Sequence, residues 1–225
     1  EYAGLFSNDD KLSNQLITDV RRAFYALCTH IDAQIRVVIG TLREEKLLDD
    51  TIIMITSDHG DMLGDFGLFA KRLMYEGSAR VPMIVLGTTR DEIVPKGKVS
   101  NKLVGLADVM PTLLHLADIK IPQSCNGKSM FDNKPRESLY AEANEGPNAT
   151  RMITNDSFKL IWYPHGNVLQ LFDIKNDPYE LKDISKIPKM NVEIKRLTKI
   201  LINNLYGEDK FFIKNGELIG NSATL

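Results

Sequence analysis

Thr51-Ile-Ile-Met-Ile-Thr-Ser-Asp-His-Gly-Asp61 is the stretch on which the reading of this chain turns. An apolar, β-branched run stops abruptly at Ser57-Asp58-His59-Gly60, the pattern of a buried strand that delivers a carboxylate and an imidazole to the end of a sheet. Open α/β sheets keep their chemistry at such strand ends. Asp58 and His59 offer a hard oxygen and a neutral nitrogen to a divalent cation, and Gly60 lets the backbone turn sharply away. Taken alone, the tetrapeptide reads first as a strand followed by a polar turn, so the flanking residues have to decide.

Upstream, residues 1–13 are polar and aperiodic, a lead-in loop in which Asn8-Asp9-Asp10 marks a turn or a helix start. From Asn14 to Leu47, Leu16, Val20, Phe24, Leu27, Ile31, Ile35, Val38, Ile39 and Leu42 recur at steps of three and four, which predicts one long amphipathic helix bent near Gly40. His30 within it reads as a surface or packing histidine, because no ligand partner stands three or four residues further on. Downstream, Gly60-Asp-Met-Leu-Gly-Asp-Phe-Gly67 is too glycine-rich for helix or strand and is a connecting or functional loop. Lys71 and Arg72 follow it. Cations just past an Asp-His pair can hold an anionic substrate against a metal, although alone they are ordinary solvated surface. Met74-Tyr-Glu-Gly-Ser-Ala-Arg-Val-Pro-Met-Ile-Val-Leu86 then supplies a turn and a second apolar strand, with Pro82 at its start, where a missing N–H is tolerated. Glu76 and Arg80 are placed to tie the loop down by a partly buried ion pair.

Composition sets the outer bounds. At 225 residues, 43% hydrophobic and 26% charged, the chain can bury a sizeable core. A net charge of -2 without a long basic tract gives no electrostatic reason to expect nucleic acid or an anionic membrane surface as a partner. No apolar run reaches the roughly 18 to 20 residues of a membrane span, and Glu1-Tyr-Ala-Gly-Leu-Phe is not a signal peptide. Cys28, in a helical pattern, and Cys125, in a loop, make neither a disulfide framework nor a zinc site, a usage compatible with a reducing compartment.

Taken together, Ser57-Asp58-His59-Gly60-Asp61, Leu63-Gly64-Asp65, Gly67-Leu68, Lys71 and Tyr75-Glu76-Gly77-Ser78-Ala79-Arg80-Val81-Pro82 resemble the C-terminal part of the sulfatase family, in the alkaline-phosphatase-like superfamily and closest to bacterial arylsulfatases. Leu106-Ala-Asp-Val-Met-Pro-Thr-Leu-Leu-His-Leu-Ala117 and Gln170-Leu-Phe-Asp-Ile-Lys-Asn-Asp-Pro-Tyr-Glu180 extend the similarity over most of residues 20–185. The resemblance implies that Asp58 and His59 are the second pair of ligands to a divalent cation, calcium in many members and magnesium or manganese in others. It further implies that Lys71 contacts the sulfate group, while Tyr75, Glu76 and Arg80 brace the loop. In such enzymes a Cys or Ser converted to formylglycine and hydrated to a diol attacks sulfur while the metal withdraws charge from the sulfate oxygens.

The chain departs from that pattern where the nucleophile belongs. A Cys-x-Pro-Ser-Arg motif should precede the Asp-His pair, but Cys28 is followed by Thr29-His30-Ile31 and Cys125 by Asn126-Gly127-Lys128. No strand precedes Asp9-Asp10 to present the first acidic metal pair. Phe66 stands where many relatives have His, which removes a polar contact near the leaving group. The expectation is therefore the C-terminal portion of a sulfatase, catalytically incomplete by itself, with the formylglycine nucleophile on an N-terminal remainder that is its partner.

The rest reads as completion of the fold. Val99–Leu103 is a short strand, and residues 107–117 form a helix with Pro111 in its first turn and His115 on its face. Ile121-Pro-Gln-Ser-Cys-Asn-Gly-Lys-Ser-Met130 marks the passage between two domains, an α/β domain over 1–122 and a smaller α+β subdomain over 123–225. There, runs at 138–143, 151–154, 158–163 and 169–174 predict an antiparallel meander, with a hairpin turn at Pro164-His-Gly-Asn167 and an amphipathic helix over 191–206 across one face. Trp162 and Tyr163 read as core. In sulfatase-like proteins this subdomain leans over the active-site mouth, so His165, the 142–148 loop and Arg72 are candidate substrate contacts beside Lys71.

The fold class is thus α/β, part of an alkaline-phosphatase-like mixed sheet flanked by helices, with a smaller antiparallel sheet and helix. The function implied is hydrolysis of a small-molecule or carbohydrate sulfate ester. Hydrolysis of a phosphate or phosphonate ester on the same scaffold is the first alternative and a non-catalytic truncated relative the second. An uncovered sheet edge predicts association with the missing half or as a homo-oligomer.

Overall fold

The computed structural model describes residues 13–87 and 92–220, so the lead-in loop with Asn8-Asp9-Asp10 falls outside the described residues. The chain divides into two compact units, one running to Lys71 and taking up Arg80–Ser100 and Leu106–Asn133, the other made of Arg72–Ala79, Asn101–Gly105 and the segment from Lys134 onward.

The first unit opens with helix α1, Asn14–Glu44, whose start is set by Ser13: its Oγ accepts from the Leu16 N–H at 3.1 Å. The helix runs unbroken through Gly40 and ends at Glu44, three residues short of the Leu47 expected from the sequence. Lys46 enters the left-handed region (φ 59°) and the Leu47 N–H reaches back to the Leu42 carbonyl at 2.8 Å, a closure that overrides the periodicity. Strand β1, Ile52–Thr56, pairs antiparallel with β2, Met83–Gly87, with Met54 opposite Val85. The expected buried strand is only half buried, and Ile84 and Leu86 on its partner are 48% and 42% exposed, because a two-stranded ladder has apolar residues on both faces.

Helix α2, Val109–Leu116, follows a tight turn at Leu106–Asp108 and carries Pro111 in its first turn. Thr112 pins it from within: its hydroxyl donates to the Asp108 carbonyl (2.6 Å) and accepts from the Met130 N–H (3.0 Å), while Asp108 Oδ1 accepts from the Lys128 N–H (2.9 Å). The chain at Gly127 passes so close that a Cβ there would lie 1.9 Å from the Ala107 carbonyl oxygen. Residues 99–103 are not a strand. They run as irregular chain, and Val99 is 95% exposed.

The second unit is built on a four-stranded antiparallel meander of β3 Leu139–Ala143, β4 Thr150–Thr154, β5 Lys159–Tyr163 and β6 Val168–Phe172, in that spatial order. Strand alternation sends Ile153, Leu160, Trp162 and Leu171 to one face, where Leu197 and Leu201 of helix α3, Asn191–Asn204, complete a core with Leu205. Met152, Ile161 and Phe172 go to the other face, where Met74 closes over them. The turn Pro164–Asn167 is tied back through Asn167, whose side-chain oxygen accepts from the Trp162 indole N–H at 2.9 Å. A two-residue hairpin, β7 Ile213–Lys214 with β8 Glu217–Leu218, ends the unit. Arg151 grips Asp209 through two bonds of 2.5 and 2.9 Å, a buried bidentate pair that fastens this terminal segment to β4. No described helix is long and apolar enough to cross a membrane.

Candidate functional site

The chain leaves β1 at Thr56 and places three groups together within the first unit. Asp58 is fixed by its own turn: Oδ1 accepts from the His59 N–H at 3.0 Å, while the Ser57 hydroxyl donates to the His59 carbonyl at 2.7 Å. That leaves Asp58 Oδ2 facing the imidazole, 3.3 Å from His59 Nε2. On the other side of the ring, Nδ1–H donates to the Gly60 carbonyl at 2.8 Å, which puts the proton on Nδ1 and an open lone pair on Nε2. Lys71 Nζ meets that lone pair at 2.6 Å. A carboxylate oxygen, an imidazole nitrogen and an ammonium thus converge on one point at a strand end.

Asp58 is solvated, its side chain 82% exposed against 36% for His59. What desolvation it has pulls its carboxyl up, yet the His59 N–H, the imidazole and the Lys71 ammonium together hold it below the usual carboxylate range. The carboxylate is thus held toward its ionised form.

The intervening loop carries backbone strain. Leu63 (φ 48°), Phe66 (φ 54°) and Ala70 (φ 62°), together with Arg72 (φ 81°) just beyond, all lie in the left-handed region although none is glycine. Gly64 (φ 88°) packs so near Ile17 of α1 that a Cβ would come within 3.1 Å of it. Arg21, also on α1, donates through Nε to the Leu63 carbonyl (2.9 Å) and through a terminal nitrogen to Asp65 (2.8 Å). Nothing in the sequence marks Arg21 for this. It looks like any helix-surface cation until the loop is seen against it.

Two donors of different kind, 3.3 Å apart, are spaced as adjacent ligands of one ion with bonds of about 2.3 Å would be. Among the described residues no cluster of three or more His, Cys, Asp or Glu side chains is arranged to hold a metal. Asp58 and His59 therefore fit part of a coordination sphere, and an ion at Nε2 would compete with the Lys71 ammonium for the same lone pair.

Of the other candidates, Arg72, Glu76 and His165 lie in the second unit, His115 and Phe66 in the first. Arg72 is exposed, and its carbonyl accepts from Asn144 at 3.4 Å. His165 sits half buried in the β5–β6 turn with its Nδ1 buried and unpaired. Glu76, for which the sequence suggested Arg80, ion-pairs with Lys159 at 2.5 Å. His115 meets Ser129 Oγ through Nδ1 at 2.7 Å, a packing contact of α2. Phe66 is 48% exposed on the site loop.

Comparison with known proteins is consistent along the chain. Residues 2–119 match the sulfatase family and residues 64–206 the family described as N-sulphoglucosamine sulphohydrolase, C-terminal. An arylsulfatase of Clostridium perfringens is 34% identical over 214 residues, which is 92% of this chain and 44% of that protein. Among solved structures, a protein in complex with its substrate D-glucosamine-2-N,6-O-disulfate superposes with a TM-score of 0.71 at 28% identity, over 77% of this chain and 37% of that one. A phosphonate monoester hydrolase from Silicibacter pomeroyi shares the fold at a TM-score of 0.77 and 22% identity, over 94% of this chain and 45% of that one. The chain spans less than half the length of the curated relatives it matches. Its α/β architecture is that of the alkaline-phosphatase-like sulfatases, and the chain belongs to the sulfatase family.

Proposed function

We propose that this chain is the C-terminal part of a sulfuric-ester hydrolase and supplies half of its active site. Asp58 Oδ2 and His59 Nε2 would hold a divalent cation, calcium before magnesium or manganese, which would supply Lewis-acid polarisation of a sulfate oxygen. Lys71 is the catalytic contact of this chain: its ammonium neutralises a second sulfate oxygen as charge builds there. The formylglycine nucleophile lies outside these residues, since Cys28 is exposed along α1 and Cys125 sits in a loop donating to the Gly127 carbonyl, neither within a fitting sequence.

The observation that carries this reading is the convergence of the carboxylate, the imidazole lone pair and the ammonium at the end of β1. A sulfated carbohydrate is the substrate class favoured, in line with the relative solved with a glucosamine disulfate. The decisive experiment measures p-nitrophenyl sulfate hydrolysis with calcium by the longer protein that contains this chain. Asp58→Ala and Lys71→Met are each expected to lower turnover by about 100-fold or more, the usual effect of removing one stabiliser of developing charge. Undiminished turnover in Asp58→Ala rejects the metal role. Preference for a phosphonate or phosphate ester over the sulfate moves the assignment to phosphoryl chemistry.

A further inference from the structure

Lys71 reaches His59 only because the ten-residue excursion between Gly60 and Lys71 closes on itself. Its two ends are joined by one oxygen atom. Asp61 Oδ1 accepts from the Leu63 N–H at 2.9 Å and from the Ala70 N–H at 3.1 Å, and both bonds are partly buried. Those two donors belong to residues held in the left-handed region, Leu63 at φ 48° and Ala70 at φ 62°. Left-handed geometry at a non-glycine residue persists only where its surroundings over-determine it, and here one carboxylate oxygen touches both positions. The Met62 N–H to Ala70 carbonyl bond (2.9 Å) and the Gly64 N–H to Leu68 carbonyl bond (2.8 Å) run inside the same closure. Lys71 is the next residue along the chain.

We propose that Asp61 is a positioning residue: through Oδ1 it holds Leu63 and Ala70 in their strained conformations, closes the 61–70 loop, and so sets where the Lys71 ammonium stands, which without a cation at Nε2 is against the His59 lone pair. Arg21 acts with it from outside, fixing the Leu63 carbonyl while Asp61 fixes the Leu63 N–H. The role requires an acceptor at Oδ1 and not a charge, which separates it from a general electrostatic effect of an acid near a cation. Its catalytic value rests on Lys71 being the anion contact proposed above.

The test reads geometry first and turnover second. In the longer protein that contains this chain, without added divalent cation, nitrogen-15 spectra of the His59 ring report whether Nε2 accepts a hydrogen bond, and Lys71→Met defines the signal of a ring without its ammonium neighbour. Asp61→Ala is expected to give the Lys71→Met signal, while Asp61→Asn, whose amide oxygen can still accept both N–H groups, keeps the wild-type one. Should Asp61→Ala not fold, Asp61→Ser, which can reach only one of the two donors, carries the same test: a signal displaced toward Lys71→Met supports the role. A wild-type His59 signal in a folded Asp61→Ala or Asp61→Ser overturns it. In the longer protein, Asp61→Ala is expected to lower kcat by about 100-fold with KM little changed, as misplacement of a catalytic group by about 1 Å does, and Asp61→Asn to restore most of it. A displaced His59 signal in Asp61→Ala combined with full sulfate-ester turnover in Lys71→Met upholds the positioning role and rejects Lys71 as the sulfate contact instead.

Discussion

Lys71 in the first unit and Lys159 in the second are the same side chain put to opposite uses. Lys159 is 1% exposed, and its Nζ lies 2.5 Å from Glu76, 2.7 Å from Glu180 and 3.0 Å from the Met74 carbonyl. Two of its protons go to Glu76 and the Met74 carbonyl, while Glu180 Oε1 faces it as a counter-charge without a hydrogen bond. Glu180 completes the knot by accepting from the Glu76 N–H at 2.6 Å. Lys71 is exposed and meets a neutral ring nitrogen, with solvent around the rest of its ammonium. The contrast separates a lysine that holds structure together from one that retains charge for an incoming anion: burial demands saturation, and function demands that saturation be withheld.

The contrast is most severely tested at Lys159. Replacing it by Met leaves the Glu180 carboxylate buried without its counter-charge, a loss expected to cost about 3 to 5 kcal/mol in urea or thermal unfolding. A penalty no larger than that of Lys71→Met would break the comparison. A smaller effect is expected from pH. Burial pushes the Glu180 carboxyl up, against the pull of Lys159 and the Glu76 N–H. A carboxyl whose folded pKa exceeds its unfolded one favours the folded state while protonated, and that contribution fades as pH rises through the folded value. Glu180→Gln, which keeps the shape and carries no charge, should therefore gain stability relative to wild type as pH is raised from about 4 to about 7, the range above the ordinary Glu pKa. A flat difference across that range removes burial as the dominant influence on Glu180. The smallest stability effect belongs to Lys71→Met, within about 0.5 kcal/mol of wild type, because a solvated side chain with one neutral partner contributes little to folding. If unfolding shows more than about 1 kcal/mol, Lys71 is a structural lysine after all.

Much of the second unit was legible because strands and helices obey local periods. The runs at 138–143, 151–154, 158–163 and 169–174 became β3 to β6, and the turn at 164–167 lies where its proline and glycine put it. Trp162 is fully buried, as strand aromatics usually are. Lys159 was not legible as core, since a lysine between Phe158 and Leu160 suggests a solvent-facing position until its partners Glu76, Glu180 and the Met74 carbonyl are known. The strand read at 99–103 failed because β-propensity alone does not make a ladder, and Val99 stands 95% exposed. At the site, Asp58, His59 and Lys71 could be named from type and spacing. Arg21 could not, because it is distant in sequence and carries no motif, and Asp61 stood in the loop without a visible task.

By itself, then, the sequence determined the element types, the family and the identity of the chemical groups, because those depend on local periodicity and on residues near one another along the chain. Only the tertiary structure decided that Nε2 of His59 presents a lone pair to Lys71, that one oxygen of Asp61 closes the loop between them, and that Lys159 is spent on two acids. Those facts turn on hydrogen-bond directions and burial, which arise when separated segments come within about 3 Å of each other.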